Sequence, residues 1–409
     1  MDKVKIGIIK EGKVPIDRRV PLTPEQAKYV QEKFNVEVLC QSSEIRCFAD
    51  DDYEKLGVKV VEDVSDCQIL LGVKEVPIPN LLADKTYFFF SHTIKEQPYN
   101  RDLLREIVQK NIRLIDYEVL TNEEGNRVIA FGRYAGLVGA YNAILTFGKR
   151  YNLYEIKPAH ECFDLNELKV ELLKVNLPKV KIALTGGGRV AKGAMEVLYA
   201  LGLRRVTPAA FLEEKFQEAV FTQLNSRDYH RPKDGGEFVR HDFYNHPETY
   251  QGDFLKYAQV SDILIAGAFW DPKAPVLFER EDIIKEDFKI KVVADITCDI
   301  EGSIPSTKKA STIEDPVYDY NPSEDTVESA YVDEGNITVM AVDNLPCELP
   351  RDASHDFGQE LVDNVLPNLL GPDDQGMIKR ATITENGGLT VYFMYLENYL
   401  NGKLYGFKG

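Results

Sequence analysis

Nowhere in the 409 residues is there an apolar stretch approaching the roughly 18 residues of a membrane-spanning helix. Cysteine is sparse. The six, at positions 40, 47, 67, 162, 298 and 347, form no C-x-x-C pair and have no metal-ligand spacing, which excludes a zinc cluster or a disulfide framework and fits a reducing cytoplasm. Positive charge is in deficit. A formal charge of −17 argues against a nucleic-acid surface, so any anionic substrate must meet a local cluster of basic residues. The opening "MDKVKIGIIKEG" runs straight into a strand pattern without a signal-type apolar region, and no repeat or low-complexity segment occurs. The expectation is a cytoplasmic protein with neither membrane nor nucleic-acid partners, its oligomeric state open.

What is present fits a globular enzyme of two domains, because this length exceeds the size at which a single core usually stops growing. Over the first 130 or so residues, short apolar runs ("VKIGIIK", "VEVLCQ", "QILLGVKEV", "TYFFFSH", "IRLIDYEVL") alternate with helical patterns ("TPEQAKYVQEKF", "DDYEKLG", "NRDLLREIVQKN"). Such alternation predicts an open parallel sheet covered by helices on both faces. A long helix is expected from about Ala135. A second alternating unit begins at "KVKIALTGGGRVAKGAMEVLYALGLRRVTPAA" and continues through "DILIAGAF" and "KVVADITC". Between them, "QLNSRDYHRPKDGGEFVRHDFYNHPETYQ" reads as an inserted excursion rather than sheet. "HDFGQELVDNVLPNLL" and "LTVYFMYLENYLNG" have helical spacing.

Gly186-Gly187-Gly188-Arg189-Val190-Ala191 stands between a strand pattern and a helix pattern, as the G-x-G-x-x-A form of the dinucleotide fingerprint does. Gly186 permits the tight turn, and Gly188 lets backbone N–H groups approach a pyrophosphate at the helix N-terminus. The following strand, taken as "RRVTPAAFLEE", offers no acid for the adenine ribose 2′-hydroxyl before Glu213. That leaves NAD and NADP both open, with Arg189, Arg204 and Arg205 as partners for a 2′-phosphate.

Lys74 and His92 follow successive apolar strands at their carboxyl ends, where open α/β sheets place ligands, and so suggest an acid–base pair. A strand-end lysine that snorkels to water and a hydrogen-bonded structural histidine are the plain alternatives. Arg18 and Arg19, just before a helix start, suit a carboxylate. Arg127 and Arg133 lie among apolar residues and need a carboxylate partner in the substrate or in the protein, where Asp116 and Glu118 are nearby in sequence, so both join Arg18 and Arg19 as substrate-binding candidates.

The ordered segments "DRRVPLTP", "GVKEVP", "FFFSHTIKEQ", "RLIDYE", "RVIAFGRYAG", "GGGRVAKGA", "ADITCDIEGSI" and "VDNLPCELPRDAS" closely resemble the lysine-forming saccharopine dehydrogenases, above all the lysine-ketoglutarate reductase half of the bifunctional aminoadipic semialdehyde synthases. These stand within a superfamily with alanine dehydrogenase and the transhydrogenase N-terminal portion. The resemblance implies two Rossmann-like doubly wound parallel-sheet domains with an active-site cleft between them. Residues 1–135 plus 344–409 would form the substrate-binding domain and 136–343 the dinucleotide-binding domain. It further implies NAD(P)H-dependent condensation of lysine with 2-oxoglutarate to saccharopine, or the reverse. Lys74 and His92 would be the catalytic pair, with Arg19 on a substrate carboxylate and Arg133 a weaker match. Gly186, Gly188 and Ala191 would form the cofactor loop, and Asp343, Asn344, Leu345 and Pro346 would stand beside the nicotinamide. His92 would work as a base kept neutral by apolar surroundings. An alanine dehydrogenase-like enzyme and a non-catalytic dinucleotide-binding regulator are the alternative readings.

Overall fold

The computed structural model describes residues 3–402. The chain divides into two compact units: residues up to Phe131 together with those from Pro350 onward, and Gly132–Leu349. The boundaries expected from sequence were 135/136 and 343/344.

In the first unit, strands β1 (Lys5–Ile8), β2 (Glu37–Gln41), β3 (Lys59–Val61), β4 (Ile69–Leu71), β5 (Thr86–Phe89) and β6 (Arg113–Asp116) form a parallel sheet in the order β6-β5-β4-β1-β2-β3. Their side chains are buried on both faces, as the near-continuous apolar runs require. Local signals set the connections. The helix Pro24–Phe34 starts from Thr23, whose hydroxyl accepts from Gln26 N in a reciprocal capping box, and ends at Asn35 in the left-handed region.

The returning C-terminal segment completes this unit. Thr382–Glu385 adds to β6 antiparallel, and the Thr384 hydroxyl bridges the main chain of Ile112 and Leu114. Of the two helices expected here, the first runs Pro350–Glu360 and widens into a π turn at Leu361–Val365, just ahead of Pro367, whose missing N–H removes a helical hydrogen bond. The second is a 3₁₀ stretch, Val391–Leu396, followed by one α turn, Glu397–Leu400.

The second unit repeats the plan. β7 (Lys181–Thr185) lies between β9 (Val220–Leu224) and the strand Ile263–Ala266, with the two-residue β8 (Arg204–Arg205) outside β9. Val292–Asp295 and Ile337–Met340 continue the parallel sheet, and Val317–Asn321 and Thr326–Glu328 close it antiparallel. The long helix spans Gly132–Tyr151 and packs against the helix Arg189–Ala200 at backbone contact. A Cβ on Gly136 would sit 1.8 Å from Val190 O, and one on Gly193 would sit 1.9 Å from Arg133 O, so both positions need glycine.

Two expectations change here. "RRVTPAA" is not the strand beside the glycine loop, because "AVFTQL" takes that place. The excursion after it is not free of strand: His230–Pro232 and Tyr250–Gly252 pair as a separate antiparallel ribbon. Both segments are short and carry charged or turn residues, so hydrophobic periodicity underrates them. Among the described residues no helix is long and apolar enough to cross a membrane.

Candidate functional site

In the first unit β1 has β4 on one side and β2 on the other, so the strand order reverses beside it, and ligands of such sheets gather at the carboxyl ends there. Those ends deliver a cluster of ionisable groups. After β1 comes Glu11, whose carboxylate accepts from the main-chain N–H of Val73 (2.7 Å) and of Lys74 (2.9 Å), pinning the turn that follows β4. Burial, reinforced by the Asp17 carboxylate, raises its pKa to about 8. Lys74 follows β4. Burial lowers its pKa, and the neighbouring Arg19 guanidinium lowers it further.

His92 follows β5 in the left-handed conformation, φ 53°, which is uncommon for a side chain with a Cβ. Its local frame is well held. Buried Asp116, at the end of β6, accepts from Ser91 N (2.8 Å) and from the Ser91 hydroxyl (2.5 Å). The ring stacks on Phe90 with centroids 6.5 Å apart. The expected purely apolar setting is only part of the picture, because Nδ1 lies 2.7 Å from Glu75 Oε1. Burial alone would raise the pKa of Glu75, but hydrogen bonds from His92 and from Lys13 (2.6 Å) bring it down to about 2. An ionised carboxylate only accepts, so Nδ1 is the donor and Nε2 is left to take a proton.

The arginines divide between the units. Arg19 is buried, stacked 4.1 Å above Phe131 and gripped in two-pronged fashion by Asp17, at 3.0 and 2.6 Å. Arg127 lies over the Phe90 ring at 5.5 Å, and its Nε donates to Ile129 O. Phe90 and Phe131 touch each other and Phe357, so one aromatic platform carries Arg19, Arg127 and His92. Arg18 is exposed, with Nε donating to Ile45 O. Arg133 belongs to the second unit and pairs with Glu196 at 2.6 and 2.8 Å. Of the two carboxylates near them in sequence, Asp116 holds Ser91, and Glu118 lies 3.8 Å from Lys95.

Sequence reasoning passed over Glu11, Asp17 and Glu75. The strand-end argument that picked out Lys74 applies equally to Glu11 after β1 and to Glu75 one residue on.

In the second unit Gly186 follows β7 at φ +104°, and a Cβ there would lie 2.9 Å from Gly267 O. Gly187 would meet the Asn225 side chain at 2.6 Å, whereas nothing stands within 4 Å of Gly188. Gly187 and Gly188 are exposed, and Arg189 and Val190 half-buried, where the twelve-residue helix Arg189–Ala200 begins, an arrangement that fits a pyrophosphate at a helix N-terminus. Ala191 is buried beneath. Because β9 is the neighbour of β7, the ribose position falls after Leu224, at Asn225-Ser226-Arg227-Asp228. Asp228 caps its own turn by accepting from Asn225 N, and Arg227 is exposed. Arg204 lies on the outermost strand, paired with Glu218. Asp343 is exposed, Asn344 donates to Cys347 Sγ, and Leu345 and Pro346 are buried at the start of a short 3₁₀ helix.

These two mostly parallel eight-stranded sheets, one with a phosphate-type glycine loop, define a Rossmann-like α/β fold. Residues 7–138 match the family described as alanine dehydrogenase/PNT, N-terminal domain. The mitochondrial alpha-aminoadipic semialdehyde synthase of Mus musculus is 30% identical over 429 residues, covering 93% of this chain and 46% of that protein. The saccharopine dehydrogenase (NAD(+), L-lysine-forming) of Yarrowia lipolytica is 25% identical over 386 residues, covering 90% of this chain and 92% of that one. An L-alanine dehydrogenase structure superposes with a TM-score of 0.65 at 15% identity, over 98% of this chain and 100% of that chain, a likeness of fold. The family resemblance read from the motifs is thus borne out. The chain spans about half the length of the semialdehyde synthases it matches.

Proposed function

We propose that this chain is an oxidoreductase of the lysine-forming saccharopine dehydrogenase type, joining the ε-amine of lysine to 2-oxoglutarate with a reduced nicotinamide dinucleotide, or running the reverse. The observation that carries the reading is the aromatic platform of the first unit. It brings two guanidinium groups, suited to the carboxylates of an oxo acid, together with a histidine oriented by a carboxylate.

In this reading Nε2 of His92 takes the proton that the amine must lose to attack the carbonyl, and Glu75 steadies the imidazolium that results. Lys74, its ammonium destabilised by burial, holds the carbonyl oxygen or returns a proton as water leaves to form the imine. Arg19 and Arg127 fix the oxo acid through its carboxylates. When bound, the dinucleotide supplies the hydride that reduces the imine. NADPH is the favoured coenzyme, because the only acid directly after β9 caps its own turn and lies 4.0 Å from the exposed Arg227, whose positive charge offsets it.

The test follows absorbance at 340 nm with lysine and 2-oxoglutarate, once with NADH and once with NADPH. Oxidation that requires both substrates, faster with NADPH, is expected. Activity with pyruvate and ammonia instead would assign the chain to the alanine dehydrogenase type, and a preference for NADH would overturn the coenzyme reading.

A further inference from the structure

The C-terminal segment that completes the first unit also builds a pocket that the chemistry proposed above does not use. Thr382–Glu385 turns back through Asn386 and Gly387 into Gly388–Leu389. Both turn residues have positive φ, 53° and 72°, as a two-residue hairpin of type I′ requires. The chain leaving the hairpin is tied down as well, because Thr390 donates through its N–H to Ile383 O (2.9 Å) and through its hydroxyl to Thr382 O (2.6 Å). Between this hairpin, the helix Met377–Ala381 and the 3₁₀ stretch Val391–Leu396 lies an open pocket of about 320 Å³, within the range of small-molecule sites. Its walls are fixed by backbone pairing, so it is pre-formed.

Its place and its lining say what belongs there. Arg113 and Glu385, which line it, stand at the amino end of β6, whereas Lys74 and His92 follow the carboxyl ends of β4 and β5. Arg113 Nε lies 3.1 Å from Glu385 Oε1, so these two charges offset each other. Lys379 is exposed on the wall and forms no ion pair among the described residues, which leaves the pocket one positive charge. The exposed Asn386 amide, beside it in the lining, makes no hydrogen bond among the described residues either. Leu389, Val391 and Tyr392 supply apolar surface, and with Val391 79% and Tyr392 45% exposed that surface stands uncovered.

We propose that this pocket is a second ligand site, separate from the candidate catalytic cluster, for a small monocarboxylate with an apolar body. The carboxylate meets Lys379 and the Asn386 amide, and the aliphatic or aromatic body lies against Leu389, Val391 and Tyr392. A dicarboxylate would bring a second charge that the Arg113–Glu385 pair leaves unanswered. The site stands independently of the oxidoreductase reading, since none of its residues takes part in that chemistry.

The experiment measures binding by calorimetry in the full chain, with 4-methylpentanoate and phenylacetate as the aliphatic and aromatic probes and their amides as uncharged counterparts. Saturable binding of at least one acid is expected, with its amide bound at least about tenfold more weakly. Lys379→Gln and Val391→Asp change exposed side chains, so the fold is kept, which an unchanged thermal midpoint verifies. The first removes the ammonium group and the second sets a like charge against the carboxylate, so each should weaken binding of the acid at least about tenfold. No saturable binding of either acid by the unaltered protein, or equal affinity for acid and amide, overturns the site. Unchanged affinity in either variant also overturns it, because the carboxylate is then held elsewhere.

Discussion

Both units place their candidate site residues at the carboxyl ends of parallel strands beside the point where strand order reverses, but they fill that place with opposite materials. The first puts Glu11, Lys74 and Glu75 there, side chains whose charge depends on their surroundings, with the His92 ring hydrogen-bonded to Glu75. The second puts three glycines and a helix start. A pyrophosphate is held well by backbone N–H groups and a helix dipole, which carry no net charge and do not titrate. Moving a proton near neutral pH needs groups whose pKa values are displaced by burial and by neighbours. One fold serves both tasks because the strand end only presents a group and does not dictate its kind.

The comparison breaks most sharply at His92. His92→Ala should lower kcat by about 10²- to 10⁴-fold if the ring transfers protons, with dinucleotide affinity unchanged. Near-full turnover in steady-state assays would remove it from the mechanism.

Gly186→Val is the counterpart in the second unit. It forces a β-branched residue to φ +104° and drives its Cβ towards Gly267 O. Left-handed backbone alone costs a residue with a Cβ about 1–2 kcal/mol, so dinucleotide affinity should fall at least about tenfold in a fluorescence titration. Wild-type affinity would mean that the phosphates bind elsewhere.

The same contrast governs what could be read from sequence. The glycine loop was legible because its signal is local: strand, glycines and helix lie within about twenty consecutive residues. Lys74 and His92 were legible by strand-end logic, since the apolar runs before them are long. The neighbour of the loop strand was not, because β8 reduces to two exposed arginines and pairing order is a property of the whole sheet. Arg19 could be picked out as a cation for a carboxylate, but its stacking on Phe131 and its grip by Asp17 are tertiary facts. Strand-end position marks Glu11 and Glu75 as well as Lys74, but the burial of the one and the hydrogen bonds of the other, which displace their pKa values in opposite directions, are tertiary facts.

Those two carboxylates offer the finest test, since they shift in opposite directions within one unit. Glu75 is depressed from 4.5 to about 2, so the stability it contributes is fully present above about pH 4.5 and is lost as pH falls through 2. Glu11 is raised from 4.5 to about 8, so the folded protein keeps a proton that the unfolded chain releases. Its effect has the reverse sign: stability declines as pH rises from about 4.5 to 8, and the decline stops once the folded carboxyl has ionised. Glu11→Gln removes this titration. The amide also turns an N–H towards the backbone donors of Val73 and Lys74, so the variant should be less stable at pH 5. Its thermal midpoint should nevertheless fall less between pH 5 and pH 8 than that of the unaltered protein. Parallel curves across that interval would mean that Glu11 is already ionised in the folded state at pH 5.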